Sequence, residues 1–155
     1  MKAKYINPFI KASKNVLEKT MGLEPKMGSP YVKSTPFPLK EVILVIGITG
    51  QVKGQIVIGM QQETAKKVAS KMMMGMDVPE LNEMAKSALS ELGNMILGNT
   101  ATLIANEGVE IDITPPTLMI GKEISLSFSD SKTLGLDLST DFGDFVFDIN
   151  LKEVD

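Results

Sequence analysis

Ser87, Glu91 and Asn94 bring a hydroxyl, a carboxylate and an amide into one short stretch, Ser87-Ala-Leu-Ser-Glu91-Leu-Gly-Asn94. At steps of four and three residues they share one helix face, with Gly98 on the same stripe. Glu91 alone could act as a general base, but no partner acid, histidine or nucleophile stands within sequence reach. Asn94 cannot transfer protons; it can hold a water by donating one hydrogen bond and accepting another. Such a pair is poorly equipped to be a self-contained active site and well equipped to complete one on another molecule. There Glu91 would pair with a cation, and Asn94 would place a water in line with a bond already polarised. Acyl phosphates suit that scheme, because phosphoryl transfer needs mainly positioning and charge neutralisation.

A helix must hold these groups outward. Leu81, Met84, Ala85, Ala88, Leu89, Leu92, Ile96 and Leu103 recur at three- and four-residue steps. They predict a buried stripe far around the helix from the polar one. Pro79 is a starting signal. Gly93 and Gly98 each cost a helix about 1 kcal/mol relative to alanine. That cost implies close approach to the backbone, by a partner or by tight packing within the chain. Lys86 is the only basic residue between Glu80 and Asn106. The outward stripe is therefore nearly uncharged apart from Glu91, as a docking surface would be. A helix packed on both sides would show the same pattern.

Ile6 to Met21 reads as an amphipathic helix closed by Gly22. Residues 24–38 carry four of the eight prolines and read as extended or loop. Val42–Ile48 and Val52–Ile58, with a turn near Gly50, form a hairpin whose first strand is apolar enough for burial on both faces. Gln61 to Gly75 reads as a second helix, with Ala65, Val68, Ala69 and Met72 inward. Val109–Ile113, Leu118–Ile120, Ile124–Phe128, Leu134–Leu138 and Phe145–Leu151 read as strands. This order predicts an α+β fold of helices packed on a mostly antiparallel sheet, in one domain over residues 1–155. A faint repeat at an offset of 79 aligns Asn15 with Asn94, Thr35 with Thr114, Pro36 with Pro115 and Val45 with Ile124. Each of two degenerate halves would be a helix, an extended Thr-Pro segment and a hairpin. Ser87 and Glu91 then match Pro8 and Ala12, so only the second half keeps the Glu/Asn pair.

Sixteen basic residues against 19 acidic ones offer no electrostatic case for nucleic acid or an anionic membrane. With no cysteine or histidine, disulfides, thiol nucleophiles, Cys/His zinc sites and imidazole chemistry are excluded. The longest strongly apolar run, Val42–Ile48, is too short for a bilayer span, and lysines interrupt the region where a signal peptide would lie. A cytoplasmic location is the default. Met72, Met73, Met74 and Met76 read as core and loop filling rather than a soft-metal box. Asp141, Asp144 and Asp148 miss the calcium-loop spacing and read as turn and strand-edge residues. Gly47, Gly50, Gly54 and Gly59 form no phosphate loop, and Lys26, Lys33 and Lys40 read as solvated.

The pattern Ser87, Glu91, Asn94 and then Pro115 or Pro116 resembles the chemotaxis phosphatase family that includes CheC, CheX and FliY. Its pattern is Asp or Ser, three residues, Glu, two residues, Asn, and a proline a little over twenty residues on. Gly-Ile-Thr-Gly at 47–50, Met-Met-Gly-Met at 73–76, Glu-Leu-Gly-Asn at 91–94 and Asp-Ile-Thr-Pro-Pro-Thr at 112–117 extend the similarity over nearly the whole chain, toward the CheX branch. The resemblance implies a CheC-like fold and an enzyme that dephosphorylates the phospho-aspartate of a CheY-like response regulator. Glu91 would pair with the regulator's active-site lysine, and Asn94 would position the attacking water. Ser87, Gly98, Pro115 and Pro116 would contact the partner. Magnesium would sit in the regulator, with no cofactor bound by this chain, and a homodimer is implied. The alternative is a non-catalytic docking or scaffold module of the chemotaxis or flagellar apparatus that uses the same helix.

Overall fold

The computed structural model describes residues 3–34, 36–127 and 132–154. Among these residues lie three helices, α1 (Ala3–Met21), α2 (Gln62–Met72) and α3 (Glu83–Asn106), and ten strands, five between α1 and α2 and five after α3. The strands are β1 (Lys26–Met27), β2 (Tyr31–Lys33), β3 (Phe37–Pro38), β4 (Val42–Gly50), β5 (Val52–Met60), β6 (Ile111–Ile113), β7 (Thr117–Ile120), β8 (Ser125–Leu126), β9 (Thr133–Thr140) and β10 (Gly143–Glu153). The main sheet runs β1-β9-β10-β5-β4-β6, with β2 also on β9 and β7 also on β4. All its pairings are antiparallel.

Alternation decides the layers, because residues two apart share a sheet face. Val42, Leu44, Ile46 and Ile48 of β4, Ile56 and Ile58 of β5, and Phe145, Phe147 and Ile149 of β10 lie in one buried cluster. Phe9, Val16 and Leu17 of α1, Ala65, Val68 and Ala69 of α2, and Leu89, Leu92 and Ile96 of α3 complete it. Phe9 meets Phe147 edge-to-face, with ring centroids 5.0 Å apart. Ile43 and Val57 are also buried, on the other face, as the unbroken apolar run of β4 led one to expect.

Element ends follow local chemistry. Gly22, with φ +65°, closes α1, and its N–H donates to the Glu18 carbonyl at 3.0 Å. The start of α3 lies beyond Pro79: Asn82 is the cap, and its Oδ1 accepts from the Ala85 N–H at 2.9 Å. Of residues 24–34 and 36–38, half form the short strands β1, β2 and β3.

Each half does run helix, extended segment, hairpin. The single offset fails beyond the helices: α1 and α3 begin at Ala3 and Glu83, but the hairpins begin at Val42 and Thr133. Ile124 precedes β8 instead of lying in the second hairpin. Thr35 of the repeat and Phe128 of the alternating run lie outside the described residues. Pro8 and Ala12 are buried, so the first half presents no exposed counterpart at those positions.

The face away from the helices corrects two expectations. Asp148 is no strand-edge residue: β10 pairs with both β5 and β9, and Asp148 sits mid-strand at 2% exposure. Lys33 is not solvated; its Nζ lies 2.6 Å from Asp148 Oδ1 and 4.6 Å from the centre of the Phe37 ring. Burial raises the Asp148 carboxyl above its ordinary pKa, outweighing the opposing pull of Lys33. Lys40 is likewise only half-exposed, its stem packed over Gly59.

Candidate functional site

Ala85, Leu89, Leu92, Ile96 and Thr100 are buried and so fix the rotation of α3. At about 100° per residue, Ser87, Glu91, Asn94 and Gly98 fall within about 60° of arc on the opposite side. Ser87, Glu91 and Asn94 are exposed and Gly98 is half-buried. Among the described residues, no hydrogen bond or ion pair engages the Ser87, Glu91 or Asn94 side chains. Their donors and acceptors stand free. Packing on both sides of this helix is thereby excluded along the stripe.

Met84 departs from the expected buried stripe. It is 58% exposed. Three residues before Ser87, it shares that residue's side of the helix and continues the open face by one turn. Leu81, Ala88 and Leu103 are only partly buried. Of the clustered methionines, Met72 and Met73 pack against the core, whereas Met74 is 97% exposed in the turn after α2.

The two glycines of α3 do different things. A Cβ on Gly93 would lie 3.4 Å from Leu44 Cδ1, 3.4 Å from Pro116 Cγ and 3.5 Å from Ile46 Cδ1. Gly93 thus lets the helix settle on β4 and on Pro116, directly beside Asn94. A Cβ on Gly98 would meet nothing within 4 Å. Among the described residues nothing requires a glycine there.

Pro116 reaches the helix because the edge of the sheet is bulged. Ile113 pairs with Ile48 and Thr117 with Val45, so three residues, Thr114 to Pro116, oppose only Ile46 and Gly47. Neither proline can donate to the ladder. Thr114 compensates: its N–H donates to the Gly47 carbonyl at 2.9 Å, and its Oγ1 accepts from the Gly47 N–H at 2.8 Å. Pro116 is brought under α3, while Pro115 is exposed. Sequence reasoning passed over Gly47 and Thr114 as site supports. The available signal was Thr-Pro-Pro between two strand-like runs, where a ladder must break.

Among the described residues, no group of three or more His, Cys, Asp or Glu side chains could hold a metal ion. No described helix is long and apolar enough to cross a membrane.

The chain matches the family model "Chemotaxis phosphatase CheX" over residues 42–137. It is 37% identical over 151 residues to the CheY-P phosphatase CheX of Thermotoga maritima, covering 97% of this chain and 96% of that protein. The structure of the chemotaxis protein CheX from Desulfovibrio desulfuricans superposes with a TM-score of 0.86 at 27% identity, covering 96% of this chain and 99% of that one. The CheX–CheY–BeF3–Mg complex of Borrelia burgdorferi gives a TM-score of 0.82 at 33% identity, covering 96% of this chain and 98% of that one. With the family model spanning well over half of its residues, this chain belongs to the CheX family of chemotaxis phosphatases.

Proposed function

We propose that this chain is a phosphatase that hydrolyses the phospho-aspartate of a CheY-like response regulator, and that Glu91 and Asn94 carry the chemistry. The supporting observation is an unengaged carboxylate–amide pair on the open face of a helix whose other side is locked into the core. Family membership supplies the substrate class. Glu91 pairs with the regulator's active-site lysine. Asn94 donates to and accepts from a water, aligning it with phosphorus opposite the aspartyl oxygen. The P–O bond to the carboxylate breaks, releasing inorganic phosphate and a free aspartate. The regulator's magnesium offsets charge on the phosphoryl oxygens, so this chain needs no metal ligand of its own.

Ser87 and the Pro115–Pro116 turn flank the contact, and Gly98 leaves clearance for the regulator's backbone. In this reading residues 1–155 act as one domain in the cytoplasm, assembled as a homodimer.

The test is phosphate release from a magnesium-loaded, acyl-phosphorylated CheY-like regulator. Wild type accelerates release, and Asn94→Ala binds without accelerating it. Binding with no acceleration by wild type, across several regulators, would instead indicate a docking module.

A further inference from the structure

Thr114, Pro115 and Pro116 form a stiff unit. Each proline fixes its own φ near −65°. Each residue before a proline, Thr114 and Pro115, is confined to extended conformations. One end of this unit is bonded twice to Gly47 on β4, and the other rests on Gly93 of α3. The footing is tight. A Cβ on Gly47 would stand 3.1 Å from Thr114 Cγ2 and 3.2 Å from Thr114 Oγ1. Contacts that close displace the neighbour by a few tenths of an ångström. Gly47 itself sits in regular strand, and its backbone does not need a glycine. Among the described residues, the atoms nearest such a Cβ all belong to Thr114.

We propose that Gly47, Thr114 and Pro116 are positioning residues, a strut that sets the height of α3 at Asn94 above the sheet. A side chain at Gly47 pushes Thr114 outward. Gly47 shares with Ile43 the sheet face away from the helices, so the shift is away from α3. The prolines cannot absorb it by bending, so Pro116 draws back from Gly93 and the neighbouring Asn94 loses its support. The inference rests on the reading of Asn94 as the water-orienting residue. Misplacing a group that aligns a nucleophile costs turnover, because alignment supplies much of the rate. Docking through the rest of the face is little affected.

The experiment measures kcat and KM for phosphate release from an acyl-phosphorylated CheY-like regulator. Wild type, Gly47→Ala, Gly47→Ala/Thr114→Ser and Asn94→Ala are compared, with thermal unfolding as a check on folding. Gly47→Ala lowers kcat by roughly tenfold with KM within about twofold. Thr114→Ser, which removes Cγ2 and keeps the accepting hydroxyl, restores most of that loss. Wild-type kcat in Gly47→Ala, or no recovery in the double variant, overturns the strut. If Gly47→Ala does not fold, Thr114→Val removes one of the two bonds to Gly47 and must show the same split between kcat and KM. Full activity in Asn94→Ala would sink the underlying reading of the site, whatever the strut variants do.

Discussion

Lys33 Nζ stands 2.6 Å from Asp148 Oδ1 on the sheet face that the helices do not cover, and both side chains are largely withdrawn from water. Removing one member of a buried pair strands the other charge, at a cost of about 3–5 kcal/mol. Lys33→Met is therefore expected to destabilise the fold by about that amount in urea unfolding. Lys33→Met/Asp148→Leu recovers most of it, since an apolar pair of similar volume is often neutral or better. A double variant no more stable than the single one would mean that shape, not charge, dominates there.

Asp148 gives the fold an unusual acid response. In the folded chain burial holds its pKa above the ordinary carboxylate value. A raised value means that the folded state binds this proton more tightly than the unfolded state does. Its contribution is fully present below the unfolded pKa and is lost as pH rises through the folded one. The stability of wild type minus that of Asp148→Asn should therefore increase as pH falls from about 7 to about 4. Unfolding curves at several pH values check this. A difference that shrinks on acidification would mean that Lys33 stabilises the carboxylate by more than burial penalises it.

Gly98 separates stability from function. With open space where its Cβ would be, Gly98→Ala should gain helix propensity and stabilise the fold by about 0.5–1 kcal/mol. The same methyl intrudes on the face assigned to the regulator, so affinity should fall while the melting temperature rises. Calorimetric binding to a stably activated regulator, beside a thermal melt, tests both halves. Unchanged affinity would remove Gly98 from the contact.

Met84 continues the polar stripe with an apolar side chain that has no cover. Met84→Ala should leave stability within about 0.5 kcal/mol. If the regulator packs over it, the loss of partial burial is about 1 kcal/mol, or roughly fivefold in Kd. An unaltered Kd confines docking to the turns from Ser87 onward.

The helices and the hairpin of β4 and β5 were legible because their patterns are local. The stripe from Leu89 to Ile96 and the apolar run from Val42 each declare a period and a buried face. The shared exposed face of Ser87, Glu91 and Asn94 was legible for the same reason, since two successive turns of one helix relate them. Met84 was misread because apolar character does not reveal which residue a neighbouring element covers. Lys33 and Asp148 were misread because their pairing joins a short edge strand to a central one across most of the sequence. Gly47 was named but not read as a support, because its constraint is a contact with Thr114, and steric fit between distant residues leaves no periodic trace. The repeat was visible at its helices and lost at its hairpins, where the connecting segments differ in length.

Glu91 and Asn94 stand exposed on the outer face of a helix, a convex surface. A small acyl phosphate arriving there would remain hydrated, with nothing to hold it against the helix. In the proposed reaction the dry chamber is made of two proteins and exists only while they touch. The lifetime of the phosphorylated signal then depends on how often the two proteins meet and how long each meeting lasts. A cell can shorten that signal by making more of this chain, with no change to the chemistry of either partner.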